Sequence, residues 1–301
     1  MSRRPRDRTL ATVLLVALTA VWGSTFFLIR DLVVTMPPVD FLAVRFTIAA
    51  ALMTVLFWRP LRSLGRRDWV VSLVLGGLYG AAQILQTVGL AHTDASVSGF
   101  VTGTYVVLTP VFTAVLLRER VPASTWYAVL MATAGLAVLS LTGFAVGLGE
   151  SLTLAAAALY ALHIIGLGRL STPQRATGMS AVQMLVIALI CVVAAVPDGV
   201  RWPQGGAQWA AVLYMATAAG VLALWVQTWA QAHMPATRAA IVMTLEPVFA
   251  AGFAVAFGGE SLTARMLLGG AMVLAAMYTV ELVGRRPPAD RPPAEALHHE
   301  V

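Results

Sequence analysis

Residues 86–96 read QTVGLAHTDAS, and residues 227–237, 141 positions later, read QTWAQAHMPAT. Each copy runs from one apolar stretch into the next, so what is repeated is a unit of membrane-length segments rather than a short motif. Reading apolar runs of about 20 residues against turn and charge punctuation gives ten spans, five per unit. They fall near residues 10–30, 39–58, 69–91, 95–117, 124–143, 150–168, 177–196, 208–231, 236–257 and 265–284. A unit with an odd number of spans ends on the face opposite to its start, so the second copy enters the bilayer inverted. The expected fold is an all-α membrane protein, a 5+5 inverted-topology repeat of ten transmembrane helices around a central cavity.

Composition agrees with that reading and removes several function classes. Hydrophobic residues form 59% of the chain and charged residues 11%, against about 45 to 50% and about 25% in soluble domains. No polar stretch is long enough for a separate ATPase or ligand-binding domain. The net charge is +6 and all 20 basic residues are Arg, but these lie in short loops between apolar runs, which fits membrane orientation and not nucleic-acid binding. Sixteen of them fall on one side: four before Thr9, and Arg59, Arg62, Arg66, Arg67, Arg118, Arg120, Arg169, Arg175, Arg238, Arg285, Arg286 and Arg291. Arg30, Arg201 and Arg265 fall on the other. Retention of Arg on the cytoplasmic side then places both termini in the cytoplasm of a bacterial-type plasma (inner) membrane. The lone Cys191 supports neither a disulfide nor a Cys-based metal site. Neither a cofactor nor a resident metal is expected.

The domain reading is a cytoplasmic segment at 1–9, a first repeat at 10–143, a second at 148–284 and a disordered cytoplasmic tail at 285–301, rich in Pro and charge. The copies keep partial register. Trp69 answers to Trp209, while Gln86, Thr87 and His92 answer to Gln227, Thr228 and His233 at an offset larger by one residue. Glu119 and Glu260 keep the 141-residue offset, and Trp22 stands opposite Tyr160 at 138. Pro110 follows His92 by 18 residues and Pro247 follows His233 by 14, so both prolines are expected on one face at different depths, each freeing a backbone carbonyl.

Candidate solute-binding residues come from polar stripes and intramembrane charges. Tyr79, Gln83 and Gln86 share a face of the third span, and Gln227 and Trp225 lie deep in the eighth. Trp22 and Ser24 in the first span, Thr102 in the fourth, and Tyr160 and His163 in the sixth complete the polar set. His163 has a competing reading as a hydrogen-bonded packing residue. Arg45, about 9 Å into the second span at 1.5 Å per residue, and Glu246 near the middle of the ninth carry most weight, because a buried charge costs ~2.5 to 3.5 kcal/mol on insertion scales. Arg45 has an alternative, snorkelling to the interface. Glu246 could equally stay neutral and hydrogen-bonded. Glu119 and Glu260, in loops, are expected to pair with Arg or cap the next helix.

The segments TAVWGSTFFLIRD, PPVDFLAVRFTIAAAL, ASVSGFVTGTYVVLTPVFTAVLLRERV, GESLTLAAAALYALHIIGLGRL and ATRAAIVMTLEPVFAAGFAVAFGGESLT follow one another in order. Together they make the chain resemble an EamA-type transporter of the drug/metabolite transporter superfamily. The resemblance implies a ten-helix inverted repeat that carries a small solute. The expected function is secondary transport, outward, of small polar or amphipathic metabolites such as amino acids by alternating access, with proton or exchange coupling left open. A channel or a non-transporting sensor is the alternative. A membrane-embedded enzyme fits less well, since no GxSxG, HExxH or paired-Asp motif occurs and His92 and His233 fall on opposite faces.

Overall fold

The computed structural model describes residues 5–118, 123–142, 145–172, 174–233 and 242–283. Glu119, the second echo beyond His233 and the tail from residue 285 lie outside them. Long apolar runs without interior turn signals become helices, because a helix satisfies its own backbone polar groups where no water can. In chain order they are α1 (Pro5–Val33), α2 (Pro38–Leu56), α3 (Trp58–Arg62), α4 (Arg66–Leu90), α5 (Ala95–Gly103), α6 (Tyr105–Leu117), α7 (Ala123–Ser140), α8 (Leu148–Leu170), α9 (Ala176–Ala195), α10 (Gly205–Ala216), α11 (Ala223–His233), α12 (Glu246–Ala256) and α13 (Ala264–Val283). Prolines open α1 and α2 and stand second in α12, where a missing N–H removes no helical bond.

Among the described residues, seven segments have the length and hydropathy of membrane spans, and three shorter apolar helices cover Trp126–Leu139, Glu246–Ala256 and Ala264–Thr279. Large apolar side chains point outward along them, Val55 being 79% and Leu130 68% exposed. Such surface suits lipid rather than water.

Helix α1 begins at Pro5, within the segment expected at 1–9. Three expectations need correction. Leu141–Thr142 and Ala145–Val146 form a two-residue antiparallel pair, which ends the fifth span earlier than expected. The fourth span is interrupted at Thr104, and Thr244 and Leu245 form a turn before α12. Pro247 sits in the first turn of α12, and so starts a helix rather than freeing a carbonyl within one; of the two prolines, Pro110 is the one inside a helix.

The eighth span contains a second irregularity. Between α10 and α11, Thr217–Leu222 is a π-helical turn, whereas α4, its counterpart, is unbroken from Arg66 to Leu90. A single-turn π segment accommodates one extra residue within an α-helix. Trp69 and Gln86 are 17 residues apart and Trp209 and Gln227 are 18. Gly80 and Gly220 still keep the shorter offset, so the extra residue falls after Gly220, where the wide turn ends. The one-residue difference in spacing between the two sequence echoes thus has a structural location.

Small residues set the helix spacing, as expected where apolar burial against lipid supplies little drive. A Cβ on Gly23 or on Gly99 would come within 2.6 Å of Phe249 Cβ or Ala250 Cβ respectively, which locks α1 and α5 onto α12. Gly135 and Gly269 approach so closely that a Cβ on either would meet the carbonyl of the other at 2.9 or 2.8 Å, joining α7 to α13.

Polar contacts tie the helix ends. At one end, Glu260 accepts from Arg30 Nη1 at 3.2 Å and from the Ala95 N–H at 2.7 Å, and Arg30 also pairs with Asp94 at 2.8 Å. Glu260 thus both pairs with Arg and caps a helix, though the helix is α5 and not the next in sequence. Asp40 accepts the Arg201 N–H at the same end. At the other, Arg175 pairs with Asp68 at 2.9 Å.

Candidate functional site

Seven spans of this bundle line one central cavity, whose empty volume, its open mouth included, is about 570 Å³. Helix α1 contributes Trp22, Thr25, Phe26 and Ile29, spaced by three and four residues along one stripe. The third-span stripe of Tyr79, Gln83 and Gln86 faces it from α4, and Tyr160, His163 and Ile164 come from α8. Arg45 enters from α2 and Gln227 from α11. Thr102, Tyr105, Met243 and Glu246 enter around the two interrupted spans.

Ten of the twelve residues expected from sequence therefore border one space. Ser24 and Trp225 do not. Ser24 is two residues from Trp22 and points away, its hydroxyl 2.8 Å from that of Tyr214 and donating to the Val21 carbonyl. Trp225 stacks on Phe57 at 6.4 Å and packs in a cluster with Leu15, Leu18 and Val226. Two residues along a helix is about 200° of rotation, so Gln227 faces inward where Trp225 faces outward.

The cavity's charges are held without a salt bridge. Arg45 is 3% exposed, so it does not snorkel to the interface. Its Nε donates to the Met215 carbonyl at 3.2 Å, and its guanidinium lies 4.8 Å from the Phe46 ring centroid and 5.8 Å from that of Phe41. Aromatic faces favour a cation that has lost water. Among the described residues no carboxylate lies within ion-pairing distance of it. Glu246 is the first residue of α12, where a helix N-terminus favours negative charge. It is 7% exposed and accepts from the Tyr105 hydroxyl at 3.2 Å. Tyr79 and Tyr160 line the same cavity, within electrostatic reach of both groups.

Hydrogen bonds brace the remaining wall. Tyr160 donates to Gln86 Oε1 at 2.9 Å and Gln86 Nε2 donates to Thr102 at 2.9 Å, linking α8, α4 and α5. The Tyr79 ring meets Tyr160 and His163 edge-on at 5.4 and 5.1 Å. A ring nitrogen of His163 is 2.8 Å from Gln183 Oε1, and Gln183 in turn donates to the Met179 carbonyl. His163 borders the cavity, yet its polar contact is to the protein, which fits its packing role.

Sequence reasoning missed Thr25, Phe26, Ile29, Tyr105, Ile164 and Met243 as lining. For the α1 residues the signal was available: Trp22, Thr25, Phe26 and Ile29 follow the helical repeat that Ser24 breaks. Tyr105 was marked by its position alone, at the repeat offset from Glu246.

Comparison with known proteins agrees with this architecture. A solved crystal structure that is 19% identical in sequence superposes with a TM-score of 0.67 over 92% of this chain and 98% of its own, a likeness of fold. An uncharacterized transporter of Archaeoglobus fulgidus is 30% identical over 276 residues, 91% of this chain and 87% of the relative. The uncharacterized transporter YcxC of Bacillus subtilis is 31% identical over 140 residues, 46% of this chain and 42% of its own. The model of the EamA-like transporter family matches residues 9–141 and 147–282. A multi-pass helical chain with a polar central cavity, matched over nearly its whole length, belongs to the EamA-like transporter family.

Proposed function

We propose that the protein is a secondary transporter that carries small zwitterionic or amphipathic metabolites, such as amino acids, out of the cell by alternating access. The observation that carries the reading is the pair Arg45 and Glu246. Both are buried, both face one cavity, and neither is neutralised by the other. A carboxylate on the solute would complement Arg45 and an ammonium would complement Glu246, with Tyr79 and Tyr160 lining the same space. Because a buried charge is costly without a partner, a solute that supplies both partners at once is favoured over one that supplies neither.

The transport mode rests on two halves rocking about this cavity, built as a first repeat at 10–143 and an inverted second repeat at 148–284, with both termini in the cytoplasm of the inner membrane. The pattern of helix contacts supports it. The second span packs on the seventh (α2 on α9) and the fifth on the tenth (α7 on α13), each with its own counterpart. The first packs on the ninth (α1 on α12), and its mirror, the sixth on the fourth, occurs as α8 on α5 and α6. Contacts of the third with the seventh are answered by the eighth with the second, α4 on α9 by α10 on α2. A twofold relation between halves generates such reciprocal pairs.

The test is counterflow in proteoliposomes loaded with unlabelled amino acids and offered labelled ones. Trans-stimulated, saturable exchange that falls in both Arg45→Gln and Glu246→Gln supports the proposal. Exchange unaffected by both substitutions, or a linear flux without trans-stimulation, would rule it out.

A further inference from the structure

Two glutamines that correspond in the duplication have opposite surroundings. Gln86 has both ends of its amide engaged, by Thr102 and by the Tyr160 hydroxyl, each at 2.9 Å. Gln227 has neither kind of partner. The residue 141 positions after Thr102 is Met243, and the one opposite Tyr160 is Trp22. Both line the cavity with Gln227, but a thioether has no hydrogen to donate. The single N–H of Trp22 goes elsewhere, to the Ala219 carbonyl at 3.3 Å. Gln227 is 3% exposed, and its Oε1 is buried with no hydrogen-bond partner among the described residues.

A buried polar atom without a partner lowers stability, so a sequence that retains it in place of an apolar residue of the same size gains something else there. The duplicate at Gln86 also shows that this fold can satisfy such an amide when its neighbours are Tyr and Thr. We infer that the Gln227 amide is a specificity-determining subsite of the cavity, which takes an uncharged group that both donates and accepts hydrogen bonds, a carboxamide or a hydroxyl. An ammonium could only donate and a carboxylate only accept. A hydrocarbon would leave the amide as it is, unpaired. The inference rests on the proposed carriage of zwitterions: Arg45 and Glu246 take the two charged ends, and Gln227 reads the side chain between or beyond them.

The experiment compares Gln227→Met with Gln86→Met, each an exchange of similar volume. In purified protein without solute, Gln86→Met unfolds at a lower temperature than the wild type, because two hydrogen bonds are lost. Gln227→Met unfolds at the wild-type temperature or above it. In counterflow, the wild type prefers L-glutamine over L-norleucine by at least about tenfold, since a site built for a polar group discriminates strongly against its absence; Gln227→Met removes that preference. Destabilisation of Gln227→Met equal to that of Gln86→Met overturns the inference, because the amide would then be structural. A glutamine-to-norleucine ratio that the substitution leaves unmoved overturns the subsite while sparing the transport reading. Exchange of neither amino acid by the wild type overturns the zwitterion reading, and the subsite with it.

Discussion

Tyr105 and Glu246 stand 141 residues apart, the offset between the two sequence echoes, and the hydroxyl of one donates to the carboxylate of the other at 3.2 Å. Each is the first residue of a helix that follows an interruption, α6 after Thr104 and α12 after the turn at Thr244 and Leu245. Equivalent residues of two related halves touch only near the operator that relates them. Under the proposed inversion this hydrogen bond marks the axis, and Glu246 is a charge placed on it.

If that bond is made to an ionised carboxylate, its loss is worth about 1.5 to 3 kcal/mol. Tyr105→Phe and Glu246→Gln are expected to be non-additive in a double-mutant cycle read by unfolding in detergent, with a coupling of about 1 kcal/mol or more. Additive effects would mean that the two groups do not interact in solution.

Arg45 is expected to read the carboxylate of the solute. The wild type should exchange an amino acid in preference to its uncharged amide, and Arg45→Gln should lose that preference, by about tenfold or more. Arg45→Lys is not expected to restore it, since an ammonium lacks the planar fork and the Nε that donates to Met215. Competition counterflow with paired amino acids and amino amides measures both.

Glu260 and Asp94 both pair with Arg30, yet their substitutions should differ. The Glu260 side chain is 8% exposed and also accepts backbone N–H groups of α5, whereas that of Asp94 is 57% exposed. Glu260→Ala should lower the unfolding free energy by about 2 kcal/mol, the scale of a lost cap and a lost charged hydrogen bond. Asp94→Ala should change it by less than about 1 kcal/mol, as exposed pairs do. Equal effects of the two would refute the assignment of the cap to Glu260.

Gly99→Ala places a Cβ 2.6 Å from Ala250 Cβ, so α5 and α12 must separate. A loss of about 1 to 3 kcal/mol is expected, the usual result of overpacking. Gly77→Ala, where nothing lies within 4 Å of the new carbon, is the control. It should be neutral or stabilising by up to about 1 kcal/mol through helix propensity. Thermal unfolding of the two variants side by side distinguishes packing from propensity.

Most of the polar lining was legible in the sequence and most of the apolar lining was not. Tyr79, Gln83 and Gln86 recur at helical spacing in an otherwise apolar segment, and a polar stripe in lipid has few places to face. Phe26, Ile29 and Ile164 line the same cavity, yet their side chains look the same whether they meet a solute, a neighbouring helix or a lipid tail. Ser24 lies two residues from Trp22, about 200° around the helix, so its hydroxyl meets Tyr214 while Trp22 borders the cavity. The helix interruptions were half visible: Pro247 lies two residues after its break, but Pro110 lies six residues after Thr104 and inside the helix that follows.

The wide turn at Thr217–Leu222 has a consequence for anyone who edits this chain. An extra residue in a regular helix would swing everything after it by about 100°, and Gln227 would leave the cavity. Here the two halves differ by one codon between tryptophan and glutamine, and the difference is absorbed within a single turn. Chimeras that exchange the third and eighth spans must therefore be aligned from the glutamine end, not the tryptophan end, if the transplanted amide is to arrive on the inner face.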